Sequence, residues 1–325
     1  MTVVARTSAR LLLLAFVILG LLAAQSWSAG SARAAAAPAY DSLPTTLPAN
    51  WPSLGYQATQ TVEFGDLVQL AGSDRELTTI KVGFADWACE TGGGATCVTT
   101  PGATWTHPIT VNLYAQGTDP TPGALLATVT ENVTVPYRPS ADPGRCGGAT
   151  SWFDETSSSC YNGLAFTWEF DFTTLAVLLP ETVIVGVAFD TQTYGTPPIG
   201  ADGPYNSLNV GLIESAPAVG TDVDPSSMYW NTGFASFYND GGTAGTGTFR
   251  NDTGGWAGFG LAVQINAQTS LTTLPFPADD PAALPTLAAT GSAPGPLPLI
   301  AVAGFLTLGA ALVMVGGRRR AAHRG

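Results

Sequence analysis

The sequence predicts an all-β protein: a single antiparallel β-sandwich, jelly-roll-like, preceded by a cleaved signal helix and followed by a transmembrane helix. Three observations predict it. Charged residues are 11% of the 325-residue chain, and lysine occurs once, at Lys81. Soluble domains carry roughly one quarter charged residues, so coiled coils and charge-driven disorder are disfavoured. Glycine (38) and proline (24) are abundant, a composition of strands and turns more than of helices. Short runs between residues 58 and 268 alternate apolar and polar side chains, and no segment sustains a capped 3.6-residue period.

Residues 1–34 read as a secretory signal peptide. Arg6 and Arg10 precede an apolar run, Leu11 to Ala24, and Ala32-Arg33-Ala34 offers a cleavage site. The run is 14 residues long, short of the roughly 20 that span a bilayer. Residues 35–57 read as a linker and 58–268 as the ectodomain. Its clearest strand is 164–172, with Leu164, Phe166, Trp168, Phe170 and Phe172 on a buried face and Glu169 and Asp171 on a wet one. Val183, Val185, Val187 and Phe189 face Ile184 and Ala188 across a strand with little polarity, hence central. Phe259, Leu261, Val263 and Ile265 repeat the alternation. Further candidate strands are 60–64, 67–71, 76–84, 109–115, 125–135, 207–213, 228–238 and 246–250.

Residues 269–298 contain seven prolines and read as an extended stalk. Residues 299–317 read as the transmembrane helix. The tail, 318–325, carries Arg318, Arg319, Arg320 and Arg324, which the positive-inside rule keeps cytoplasmic. Just before the apolar segment stands Leu287-Ala288-Ala289-Thr290-Gly291. In that order, pentapeptide, apolar run and basic tail resemble the sorting signal of sortase substrates. The Leu-Ala-x-Thr-Gly form is similar to that of class E sortases of high-GC Gram-positive bacteria; Ala288 stands where the commoner motif has proline. The resemblance implies that a sortase cysteine attacks the Thr290 carbonyl, Gly291 leaves, and Thr290 passes to an amine of a peptidoglycan precursor. Signal peptidase and sortase are then the processing partners, and the location is extracellular, wall-anchored, by way of a membrane-inserted precursor. Simple membrane retention is the alternative.

The segments Val62–Val68, Gly72–Leu77, Val135–Pro139, Tyr161–Phe166 and Gly203–Val210 together resemble an uncharacterised β-domain of exported bacterial proteins with interchangeable sorting tails. That resemblance implies a surface protein and carries over no catalytic residue.

Between residues 35 and 290 five basic residues face all 24 acidic ones, a net charge of −19. Such a field excludes nucleic acid, whose binding needs Lys and Arg. Cys89, Cys97, Cys146 and Cys160 fall in this exported region, where an even number indicates disulfides. Of three pairings, the local one, Cys89–Cys97 with Cys146–Cys160, staples two Gly- and Ser-rich loops. Zinc is disfavoured because the spacing lacks close Cys pairs.

No motif of nucleophilic, zinc-protease or phosphate-loop chemistry occurs. His107, the one ectodomain histidine, precedes Pro108 and reads as structural. No cofactor is expected beyond a structural calcium, for which Asp222, Asp224, Asp240 and Asp252 offer loop oxygens, although Asp in turns has backbone reasons of its own. Trp87, Trp105, Trp152, Trp230 and Trp256 are the candidate ligand-binding aromatics, with burial as the ordinary alternative. The sequence therefore predicts a non-enzymatic protein for surface display, adhesion or envelope structure, with a glycan or surface protein as possible ligand. A carbohydrate-binding module is the rival and a glycoside-active enzyme the third reading.

Overall fold

A computed structural model describes residues 36–147, 150–195 and 200–270. The signal peptide, the sorting motif Leu287–Gly291, the stalk beyond residue 270, the transmembrane segment and the tail lie outside the described residues. Among the described residues no helix is long and apolar enough to cross a membrane.

The described chain is mostly β, and its strands pair antiparallel throughout. In chain order they are β1 (Ala37–Asp41), β2 (Ser53–Gly55), β3 (Thr61–Gln69), β4 (Glu76–Asp86), β5 (Thr104–Ala115), β6 (Leu125–Pro136), β7 (Trp152–Asp154) and β8 (Ser159–Tyr161). Then follow β9 (Leu164–Asp171), β10 (Thr182–Ala188), β11 (Leu208–Ile213), β12 (Thr221–Asp222), β13 (Ser227–Thr232), β14 (Arg250–Thr253), β15 (Gly260–Leu261) and β16 (Val263–Gln268).

One sheet runs β1-β16-β4-β9, and β11 continues the β16 edge of β4 while pairing β2 and β15. The other runs β6-β5-β10-β3-β13-β14, with β12 on β3 beyond the end of β13. β7 and β8 form a small separate hairpin. The inward faces of both sheets feed one core. Phe64, Val111, Leu113, Val183 and Val185 come from the second sheet and meet Ile80, Val82, Phe84, Phe170 and Ile265 of the first. Such burial is the main stabilising term of the domain. As expected, β10 is central, between β3 and β5, with Val183, Val185 and Val187 inward.

The expected linker 35–57 is corrected: its described part belongs to the domain. β1 is an edge strand on β16, and Tyr40 and Tyr56 are fully buried. Between β1 and β2 the chain crosses the outer face of the first sheet as a strap. Ser42 starts it with hydrogen bonds to the Leu261 and Val263 carbonyls. Its far end reaches the other edge, where Ala165 N–H donates to the Ala49 carbonyl. Trp51 then lies against the strands with Ala165, Ile213 and Ala262. Close approach requires glycine beneath the indole: a Cβ on Gly83 would sit 2.7 Å from it and one on Gly211 2.8 Å. The sequence reading missed this because the strap has no periodicity, only isolated aromatics among prolines.

Two other expectations change in detail. Residues 60–64 and 67–71 are one continuous strand, β3, whose Gly65 lies opposite Gly186 with no break. The candidate 228–238 ends at Thr232 and turns into a 3-10 segment, Ala235–Phe237, while 246–250 is turn up to Arg250. On β9, Phe166 and Phe170, with Phe172 just beyond it, are buried and Glu169 and Asp171 are exposed, as the alternation predicts. Leu164 and Trp168 are only half-buried, a correction. Trp168 keeps its indole N–H at the rim, donating to Glu131 Oε2 at 2.9 Å, and Glu131 Oε1 accepts from Asp171 N–H. Glu131 thus ties the edge strand β6 to the edge strand β9. Leu164 opens the strand, where the core ends.

Candidate functional site

The loop joining β5 to β6 shapes the outer surface of the second sheet. Its Asp-Pro-Thr-Pro-Gly sequence (119–123) favours turns. The loop does not extend into solvent but folds back over the outer face of the second sheet, past β10, β3 and β13. It is fastened at β14: Asn251 N–H donates to the Pro120 carbonyl at 2.7 Å, and Asn251 Nδ2 donates to Asp119 Oδ1 at 2.7 Å.

Beneath and beside this loop is a groove of about 350 Å³. Leu67 and Tyr229 form its floor, the outward residues of β3 and β13, packed with Ile184 and apart from the main core. Gln116, Gly117 and Asp119 make one wall, Val223, Asp224 and Ser227 the other, and Asn251 and Thr253 the end. No Lys, Arg or His lines it. Tyr229 is 4% exposed, and its hydroxyl has no hydrogen-bond partner among the described residues. Burial, with Asp119 and Asp224 nearby, pushes this phenol up to about 12, so it remains a donor at any ordinary pH. Asn251 Oδ1 is buried and also unpartnered. Asp224 is held below the usual carboxylate range by the Ser227 and Ser226 hydroxyls. The groove is therefore electronegative, fixed by hydrogen bonds, and lined by both donors and acceptors.

None of these groove residues except Asp224 is a sequence-predicted site residue. The groove unites positions more than 130 residues apart, which no local motif records. One signal was present: Tyr229 and Trp230 are neighbours on a strand, so they cannot both face the core.

The tryptophan candidates do not converge. Trp230 (3% exposed) belongs to the main core, and Trp152 (6%) donates its N–H to the Gly163 carbonyl. Trp105 and Trp256 are half-buried, giving their N–H to Asp86 and Asp252 respectively. Only Trp87 among the five is exposed, at 42%. Trp152 and Trp230 thus fill core or loop volume, and of the five candidates Trp87 alone offers an exposed ring.

The calcium candidates are likewise dispersed into local hydrogen bonding. Asp240 pairs with Arg250 at 2.8 Å, Asp252 accepts from Asn239 N–H and Trp256, and Asp222 accepts from Asp224 N–H. Among the described residues no three His, Cys, Asp or Glu side chains converge on a metal-sized point. His107 is buried inside β5, its Nε2 2.8 Å from the Asp190 carbonyl and its ring stacked on Tyr205.

Both local disulfides form, Cys89–Cys97 and Cys146–Cys160, and no cysteine is free. Arg138 joins the two stapled loops, donating to the Gly94 carbonyl in one and the Thr150 carbonyl in the other. Replacing Cys146 and Cys160 by serine removes a staple across 14 residues. It is expected to lower stability by about 2–4 kcal/mol, read as a shift of the urea midpoint. An unchanged midpoint would contradict a structural role.

No family model matches the chain, and neither a curated protein nor a solved structure matches it.

Proposed function

We propose that the chain is a non-enzymatic, exported protein that displays a jelly-roll domain on the bacterial surface, joined to the wall through Thr290. The strand orders β1-β16-β4-β9 and β3-β10-β5-β6 support the jelly roll. Taken in chain order, these eight strands interleave as in that fold, and the segment from β11 to β15 is an insertion before the last strand. The observation that carries export is the pair of local disulfides with no thiol left over. Such pairs persist in oxidising compartments. Around that domain stand a signal-peptide pattern and a sorting-type terminus, in the order a wall-linked protein needs.

The experiment is fractionation of cells carrying the full chain. Wild type is expected in the peptidoglycan fraction, released by muramidase and lacking residues 291–325. Thr290→Ala is expected in the membrane fraction with its tail intact, because the acyl transfer no longer has its recognised threonine. If both forms extract with detergent at full length, the wall linkage is wrong and the chain is a single-pass membrane protein.

A further inference from the structure

We propose that the groove under the β5–β6 loop binds a neutral, polyhydroxylated ligand, a hexose unit of a glycan, held by Tyr229, Gln116 and Asp119. The proposal is independent of how the chain is anchored. It starts from a polar group that the fold leaves without a partner at the floor of the groove. Tyr229 is 4% exposed and lines the groove, and its hydroxyl has no partner among the described residues. Polar groups so deeply set in native proteins are nearly always paired, so this one calls for water or a ligand.

The orientation of both walls is fixed before anything binds. Asn251 spends its backbone N–H and its amide nitrogen on the loop, which fixes the loop over the groove. Gln116 Oε1 accepts from Thr182 at 2.9 Å, which leaves its amide nitrogen free to donate. Tyr229 and Thr253 add hydroxyls that donate or accept, while the second oxygen of Asp119 adds an acceptor. Donors and acceptors thus alternate around a small volume, and a sugar hydroxyl both donates and accepts. Val223, 41% exposed, and Leu67 offer aliphatic surface to the C–H face of a ring.

Other ligand chemistries fit less well. An anion would face Asp119 and Asp224 with no cation in the lining. A bare divalent cation wants six to eight oxygens at about 2.3–2.6 Å, a closed cage. Here the space is an open groove of about 350 Å³, and the Asp224 oxygens are committed to Ser226 and Ser227. An ammonium or guanidinium group only donates and would leave the Gln116 amide nitrogen without an acceptor. The volume lies at the small end of ligand pockets, matching one or two sugar rings.

The test uses the purified full chain in detergent on an array of neutral hexose oligosaccharides and matched uronic-acid oligosaccharides. The best neutral binder is then titrated calorimetrically. Wild type is expected to bind neutral members selectively. Tyr229→Phe is expected to weaken binding by about tenfold or more with an unchanged melting temperature, because the hydroxyl has no protein partner to lose. Thr253→Val, on the exposed rim, is the second variant and carries the same expectation should Tyr229→Phe melt early. Trp87→Ala is expected to bind as wild type does. The proposal is overturned if no neutral oligosaccharide binds. It is equally overturned if both groove variants bind at full affinity, if Trp87→Ala alone abolishes binding, or if calcium chloride or arginine amide titrates into the groove instead.

Discussion

Phe170→Ala is expected to destabilise the domain by about 3–5 kcal/mol, measured as the loss of unfolding free energy in urea. Phe170 is fully buried in the core shared by the two sheets, and on β9 it lies opposite Ile80 of β4. β4 is gripped on both edges, by β9 on one side and by β16 and β11 on the other. A cavity at Phe170 therefore opens beside the strand that organises the first sheet, where backbone relaxation is most restricted. The comparison is Glu169→Ala, one residue away on the wet face. Glu169 makes a 3.6 Å ion pair with Lys81, both side chains substantially exposed. Such pairs contribute about 0–1 kcal/mol, so the two neighbours differ severalfold. A loss below about 0.5 kcal/mol at Phe170 would mean that β9 is in the wrong register, since a one-residue slip exchanges its faces.

The local parts of the fold were legible, and the reason is the period of two. Glu169 and Asp171 alternate with phenylalanines, so β9 declares its faces. The Val183–Phe189 run is apolar on both sides and becomes central β10. The disulfides were legible because both bridges are local, each closing a short loop that already wants to turn. What was not legible depends on pairs distant in sequence. β1 meets β16 across more than 220 residues, and nothing in Ala37–Asp41 announces a strand. The strap that buries Trp51 works through Gly83 and Gly211, whose meaning appears only once an indole lies on them. The tryptophans misled for a related reason. An indole N–H can be satisfied inside a fold by one carboxylate or carbonyl, as Trp105, Trp152 and Trp256 show, so Trp near a flexible loop does not imply exposure. The groove combines β3, β13, β14 and a loop from β5, and its residues are ordinary turn and strand types until the loop folds back.

The domain is expected to be most stable near pH 4–5 and to lose stability steadily towards pH 8, against the usual pattern of a maximum between about pH 5 and 8. The cause is a set of buried carboxyls without cationic neighbours close enough to compensate. Burial pushes Asp86 up to about 8, despite hydrogen bonds from Ala88 N–H and Trp105 and the distant Arg138. Burial holds Asp66 well above the carboxylate range, with Asp222 reinforcing it. Burial also raises Glu63, although Asn112 and Tyr114 donate to it. In the unfolded chain these groups ionise near pH 4. Between there and pH 8 the folded state binds more protons than the unfolded one, so unfolding free energy falls as pH rises. Their contribution is complete below the unfolded value and gone once the folded value is passed. The slope is about 1.4 kcal/mol per pH unit for each carboxyl that takes up a full proton on folding. His107, held below its ordinary value by burial, acts in the opposite sense at the acid end, one group against three. Below pH 4 the exposed carboxyls take over: Arg145 holds Asp142 low, and the Thr173 hydroxyl and amide hold Asp171 low, so stability falls again with acid. Calorimetric melting temperatures from pH 3 to 9 at constant ionic strength check the curve. Asp86→Asn removes the titrating proton and keeps an acceptor for Ala88 N–H, but its amide nitrogen cannot accept the Trp105 N–H that Asp86 Oδ2 takes. It is expected to melt below wild type at pH 4 for want of that bond, and to show a flatter decline from pH 4 to pH 8. A wild-type melting temperature that rises from pH 5 to 8 would show that these carboxyls are ionised in the fold and that burial does not control them.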